Sequence, residues 1–420
     1  CGAKRAAASD RLTAMRVVVV GAGFAGSAAA LFLHRAGHTV TLLEAVPEPS
    51  PVGAGIMLQP TGMHVLEQLG LAAPILHAGH RVDKLRALSS TGRLLFDLPY
   101  SARGAELYGL GLHRGVLFKT LFDAARAEIP DVRTGVCIAQ LGTPGHVLTT
   151  DGEALGPFDL IVIADGARSE VRAANFPAAR DTPYPWGALW FVAEDREGRY
   201  QRELLQCVKG AEQMVGMLPT GLAPGGDTPL VSLFVSVPVT EAESVRRESL
   251  GSFRKRVTRV APMAEPILDQ LPSTEALLFA GYRDVRFKQW NAGNVVFIGD
   301  AAHAMSPQLG QGSNLALVDA LVLSECIAAQ PGNVELALVN YTARRRAHLG
   351  FYQRMTRWLT PFFQSHSTAL GLVRDLAFPL GARLPILREQ MVATMCGGKL
   401  GFLSGSLPEG RHVPRLPSGG

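Results

Sequence analysis

Three glycines and one carboxylate, Gly21, Gly23, Gly26 and Glu44, have the types and spacing that hold a dinucleotide. Gly21 permits a sharp turn after a strand, Gly23 leaves room for a pyrophosphate against bare backbone, and Gly26 lets a helix sit close to that strand. Phe24 and Ala25 fall in the first helical turn, where free N–H groups and the helix dipole favour an anion. About 20 residues on, Glu44 stands where a carboxylate accepts hydrogen bonds from a ribose diol, and it disfavours a 2′-phosphate.

A second set follows Asn294. Asp300, at a strand end, can bind a sugar-like hydroxyl chain, and Pro307 leads to Gly310, Gly312, Ser313 and Asn314 at the start of a long helix. Bare N–H donors there would stabilise an anion, including one that forms only when a bound ring is reduced. Between the two sets, Ala164-Asp165-Gly166 marks another strand-to-helix turn, with Ser169 as the N-cap. Gly55 and Ile56 sit in a loop able to approach a flat ligand. Arg114 opens a helix, where a cation calls for an anionic partner such as phosphate. His303 could act as an acid or base, but most simply ties its loop together.

The elements that must position these residues are legible. Arg16–Val20 is a strand shielded on both faces, followed by an Ala/Leu-rich helix and a second strand ending at Glu44. Residues 160–163 and 295–298 repeat the short buried-strand pattern. Residues 84–98 read as a hairpin, 114–128 as a helix, and 132–140 with 146–150 as a strand pair. From about 175 to 290, Pro-bounded β-rich runs and one helix over 241–260 suggest an inserted antiparallel sheet, whose Tyr184, Trp186, Trp190, Met214, Met217 and Phe234 could wall an apolar pocket. Phe362 to Leu387, apolar and helical with basic flanks, reads most simply as a packed C-terminal helix pair, with a membrane-bound quinone as the variant substrate such a segment would suit, and Arg344 to Arg346 reads as a solvated helix face. Residues 1–14 and 404–420 are expected to be disordered.

Composition narrows the partners. The chain has 420 residues, 47% of them hydrophobic, and 41 basic against 36 acidic side chains, a net charge of +5 spread along the sequence. That suits a globular protein without a nucleic-acid partner. Five scattered cysteines form neither a disulfide framework nor a metal site, so a cytoplasmic setting is expected. The uncharged stretch 17–33 is interrupted by the glycine turn, and no integral membrane association is expected.

In order and spacing, G-x-G-x-x-G with Glu44, Asp165-Gly166, and Gly299-Asp300 with Pro307 to Gly312 resemble the FAD-dependent aromatic hydroxylases of the para-hydroxybenzoate and salicylate hydroxylase type, over roughly residues 15–395. The resemblance implies an α/β fold: a Rossmann-type FAD-binding domain from 15–174 and 291–330, an inserted antiparallel β-sheet substrate domain over 175–290, and a C-terminal helical segment over 331–403. It implies that Gly21, Gly23, Phe24, Ala25, Gly26 and Glu44 hold the ADP half of FAD and that Arg114 reaches the phosphate and ribityl region. Asp300 would bind the ribityl chain, and Pro307 and Gly310 to Asn314 would meet the pyrimidine edge, with Gly55 and Ile56 on the other side. Asp165 would serve both FAD and the nicotinamide. The implied reaction is reduction of FAD by NAD(P)H, capture of O2 as a C4a-hydroperoxide, and oxygen transfer to a phenolic or related heteroaromatic small molecule.

The catalytic base stays open among Gln59, His303 and Tyr184, and a monomer or homodimer is expected. Two positions depart from the family pattern: Ile163 replaces a glycine before Ala-Asp-Gly, and Ser50 replaces an arginine before the Gly53 loop. Other readings are a flavin halogenase, although Trp186-Gly-Ala-Leu-Trp190 lacks that group's Trp-x-Trp-x-Ile-Pro pattern, a quinone-pathway hydroxylase, or a binding protein that has lost its flavin.

Overall fold

Four successive valines leave no polar face, and the strand Arg16–Val20 accordingly lies inside a six-stranded sheet with Val17 to Val20 at most 4% exposed. The computed structural model describes residues 14–50, 53–177, 179–402, 405–411 and 413–414. The sheet runs in the order Asn291–Ala292, Val295–Phe297, Leu160–Ile163, Arg16–Val20, Thr39–Glu44, Asp131–Thr134, parallel except at its first edge. Val20 lies level with Leu43 and with Ile163, and Ile163 with Phe297, so four parallel strands end at one edge. Helix Phe24–Arg35, rich in alanine, packs between this sheet and helix Gly312–Ala329, with Ala28, Ala29 and Ala30 fully buried. Helix Gly312–Ala329 is long and apolar enough to cross a membrane, yet 67% of it is buried inside the fold.

A nine-stranded sheet forms the second layer. It takes strands from Gly55–Leu58 to Gly109–His113 as well as from Arg180–Glu194 to Leu278–Arg286. It is therefore mixed rather than purely antiparallel, because Arg202–Lys209 pairs in parallel with His80–Ser89, distant in the chain. Alternation divides its side chains between two faces. Leu189, Val215, Met217, Leu233 and Val235 pack with Phe253 and Val257 of helix Leu250–Val260. The opposite face carries Trp190, Phe234 and Gly216 in one cross-strand row and Val192, Ser232 and Leu218 in the next.

Three local expectations change. The run 132–140 divides at Gly135, whose φ is +75°: Asp131–Thr134 joins the parallel sheet, while Ile138–Leu141 joins a small antiparallel sheet. The helix over 241–260 divides into Ala242–Arg246 and Leu250–Val260, because the Ser249 side chain accepts from Ser252 N and starts a new helix. The third change is at the C-terminus, where residues 405–411 and 413–414 are not a loose tail. Leu407 N donates to Gly398 O at 2.7 Å, the Tyr108 hydroxyl donates to Pro414 O at 2.6 Å, and Val413 is 7% exposed. Residues 1–13, 404, 412 and 415–420, also among those expected to be disordered, lie outside the described residues.

Candidate functional site

The turns after the four level strand ends carry the residues singled out in the sequence. Gly21 has φ +98°, its N–H donates to Leu43 O at 2.7 Å, and a Cβ there would sit 2.5 Å from Ala164 O. A Cβ on Gly26 would lie 1.8 Å from Gly21 O, so this glycine sets how closely helix and turn approach. Around Gly23 the opposite holds: it is exposed, and nothing lies within 4 Å of an added Cβ. Ala25 borders the next turn, since a Cβ on Gly299 would fall 2.9 Å from the Ala25 methyl. Asp300 is exposed immediately after it, at the head of helix Asp300–His303.

Glu44 is held by two backbone donors, Ala22 N at 2.8 Å and Val46 N at 2.9 Å. Each oxygen keeps a lone pair for a further donor. Asp165 lies below the surface; one oxygen accepts from Ser169 Oγ at 2.8 Å, and the other is buried without a partner. Burial raises its pKa to about 6, against the opposing hydrogen bond of Ser169 and charge of Arg172. Ser169 caps the following helix as expected, accepting from Arg172 N at 3.0 Å. Ile163 is fully buried and pairs with Val20 and Phe297, which suits an apolar residue.

Two helix starts at this edge, one at Gly23 and one at Gly312, have neither a side-chain cap nor an acidic residue in the first turn. Nothing lies within 4 Å of a Cβ added at Gly312 either, so free N–H donors face open space at both helix starts. Gly310, left-handed at φ +61°, turns the chain from Pro307 into this helix, with Met57 3.9 Å from its Cβ position. Ser313 is half-buried in the first turn. Arg114 is exposed at the start of helix Arg114–Glu128, over the Phe24 ring at 5.5 Å and packed against Gly53, and no carboxylate pairs with it among the described residues. Two capless helix starts, an open glycine turn and a cation without a counter-charge fit the phosphates of a flavin dinucleotide and the negative charge its ring gains on reduction.

Other residues support this edge. Gly55 and Ile56 lie not in a loop but in strand Gly55–Leu58, paired with Gly109–His113; Gly55 N donates to Ser232 Oγ at 2.8 Å, and Ser232 is itself bonded to Thr220, so this strand is fixed to the Trp190–Phe234 face of the large sheet. Trp190 and Phe234 are 5.0 Å apart on that face, whereas Met217 belongs to the opposite one and Trp186 packs on His366. Asn314 is fully buried: its Oδ1 accepts from Gln59 N at 2.8 Å and its Nδ2 donates to Met57 O and Gly310 O. Its side chain is thus spent on holding the end of strand Gly55–Leu58, and only its backbone remains for a ligand.

The three candidate bases are engaged elsewhere. The Gln59 Oε1 accepts from Tyr100 at 2.5 Å, and Tyr184 is half-buried with its pKa raised by burial and by Asp284. His303 meets Asp319 at 2.5 Å, the carboxylate partner that sequence spacing did not reveal. Arg345 is not on a solvated face: it is 1% exposed and donates to the other Asp319 oxygen at 2.7 Å. Arg172, also buried, donates to Ala167 O, Ala301 O and Asp181, tying the Asp165 turn to the Asp300 helix. No local sequence signal marks Asp319 or Arg345, which are 26 residues apart, or the Arg172 contact to Ala301, 129 residues on.

The family model described as the FAD binding domain matches residues 14–350. Kynurenine 3-monooxygenase of Salinispora arenicola is 34% identical over 360 residues, covering 79% of this chain and 76% of that protein. The 3-amino-4-hydroxybenzoate 2-monooxygenase of Streptomyces cremeus is 29% identical over 422 residues, covering 96% and 99%. The solved structure of 2-methyl-3-hydroxypyridine-5-carboxylic acid oxygenase matches with a TM-score of 0.72 at 25% identity, covering 88% of this chain and 98% of that one. The geometry of the sheet edge and these relationships agree, and the chain belongs to the FAD-dependent aromatic hydroxylase family.

Proposed function

We propose that this FAD- and NAD(P)H-dependent monooxygenase acts on a small planar aromatic that carries nitrogen, in the ring or as an amino group, beside a hydroxyl or carbonyl. The relatives support this class: by their names they act on kynurenine, 3-amino-4-hydroxybenzoate and a hydroxypyridine carboxylate. The observation that carries the cofactor assignment is the meeting of the Gly23 and Gly312 helix starts with Glu44, Asp165 and Asp300 at one sheet edge. FAD bound there supplies the redox and oxygen-activating chemistry.

The chain's own groups bind, orient and exclude water. Backbone N–H groups from Gly23 to Gly26 and the Arg114 guanidinium take the phosphates, and Glu44 and Asp300 take hydroxyls of the two sugar-like segments. N–H groups from Gly312 to Asn314 stand ready for negative charge on the ring. The Trp190–Phe234 face, joined to strand Gly55–Leu58 through Ser232, offers a flat apolar wall for the substrate and keeps water away. Four described cysteines are free thiols, which supports a reducing cytoplasm as the setting.

The test is NAD(P)H consumption by the flavin-loaded enzyme across aminophenyl ketones, hydroxyquinolones, aminohydroxybenzoates and hydroxypyridine carboxylates, with plain phenols for comparison. Consumption coupled to a product one oxygen heavier is expected for a nitrogen-bearing compound. Coupled turnover confined to nitrogen-free phenols would overturn the substrate class and leave the family assignment standing.

A further inference from the structure

Helix Thr368–Arg383 is apolar on both sides, and only one side is covered. Its inner face is docked tightly: Phe378 meets Phe96, Phe362 and Phe363, Arg374 donates to Gly210 O and Phe362 O, and a Cβ on Gly371 would lie 3.0 Å from Ala211 N. Its outer face carries Leu372, Val373, Leu376 and Leu380, continued by Leu384, Ile386 and Leu387 at the next helix, all between 47% and 74% exposed. Seven of the seventeen exposed large hydrophobics among the described residues thus fall within 372–387. A surface helix ordinarily turns a polar face to water, so this face calls for a cover.

The charges around it select the cover. Arg383 and Arg388 are exposed at one end of the stripe, and no carboxylate pairs with either among the described residues. The nearest carboxylates in sequence are committed, Asp375 to Arg374 at 2.6 Å and Glu389 to Arg103 at 3.6 Å. In an isologous dimer the same patch meets itself, which would bring these arginines together without free carboxylates opposite. Trp358, 59% exposed, packs edge-on against Phe362 beside the same helix and adds an amphipathic ring of the kind that settles at a bilayer interface.

We propose that the face formed by Leu372, Leu376, Leu380, Ile386 and Leu387, with Arg383 and Arg388 at its edge, seats the enzyme peripherally on an anionic lipid surface. The apolar stripe enters the headgroup boundary while the arginines meet lipid phosphates. The helix lies in the interface and does not cross it.

The test sediments the full 420-residue flavin-loaded chain with vesicles of phosphatidylcholine alone or mixed with phosphatidylglycerol. Binding to the mixed vesicles is expected, and Leu376→Glu with Leu380→Glu should reduce it about tenfold or more. Arg383→Gln with Arg388→Gln should lower binding to the anionic vesicles about tenfold and leave weak binding to neutral ones unchanged. Flavin content and melting temperature report folding of both variants, and the arginine pair tests the idea even if the leucine pair fails to fold. A chain that stays in solution with both vesicle types overturns the proposal. So does a dimer, seen by light scattering, that occupies the face and dissociates in the leucine variant while no vesicle is bound.

Discussion

Asp319 and Arg345 form an ion pair 2.7 Å long in which neither side chain is more than 1% exposed. The second Asp319 oxygen accepts from Gly299 N at 2.8 Å and meets His303 at 2.5 Å, so the turn that presents Asp300 hangs from this carboxylate. Burial alone would raise the Asp319 pKa, but the charges of His303 and Arg345 outweigh it and hold the group well below the usual carboxylate range. Asp319→Ala leaves Arg345 buried without a counter-charge, and urea unfolding should show a loss of about 3–5 kcal/mol. Asp319→Leu combined with Arg345→Met should cost less than Asp319→Leu alone.

Gly23 and Gly26 should separate binding from folding. Gly23 has an ordinary φ of −68° with open space around it, so Gly23→Ala should change the stability of the flavin-free protein by less than about 1 kcal/mol while lowering flavin retention. Gly26→Ala would normally favour a helix, but here the new methyl meets Gly21 O, and a loss of more than about 2 kcal/mol is expected. Thermal melts of the flavin-free variants, with flavin absorbance after reconstitution, check both.

Asp165 should make the flavin-free protein less stable as pH rises. Its folded pKa of about 6 lies above the ordinary 3.8, so its contribution is fully present below pH 4 and is lost as pH rises through 6. The difference is worth on the order of 3 kcal/mol. Asp165→Asn retains an acceptor for Ser169 and removes the titration. Its melting temperature should exceed that of the parent at pH 7, with the gap closing toward pH 4.

Asn314 should prove an anchor for the end of strand Gly55–Leu58. Asn314→Ala strips the buried Gln59 N–H and Met57 carbonyl of their partner, and a loss of about 2–3 kcal/mol is expected in urea unfolding of the flavin-free protein. Unchanged stability with weakened flavin binding would instead make its side chain a ligand.

By itself, the sequence determined what local geometry dictates: the strand of valines, the glycine turn before an alanine helix, the Ser169 cap and the acids at the strand ends. Each depends on φ/ψ limits, side-chain period or contacts within one turn of chain, and so is written in neighbouring residues. The tertiary structure alone decided which polar side chains are spent on the fold. Asp319 finds Arg345 across 26 positions, and Asn314 finds Gln59 across 255. Nothing in the triple arginine at 344–346 says which member turns inward; that depends on where helix Val334–Leu359 meets helix Gly312–Ala329. The large sheet likewise needed tertiary structure, because Arg202–Lys209 pairs in parallel with His80–Ser89 across more than a hundred residues of intervening chain. Partner choice at such distances is set by packing, which leaves no periodic trace in the sequence.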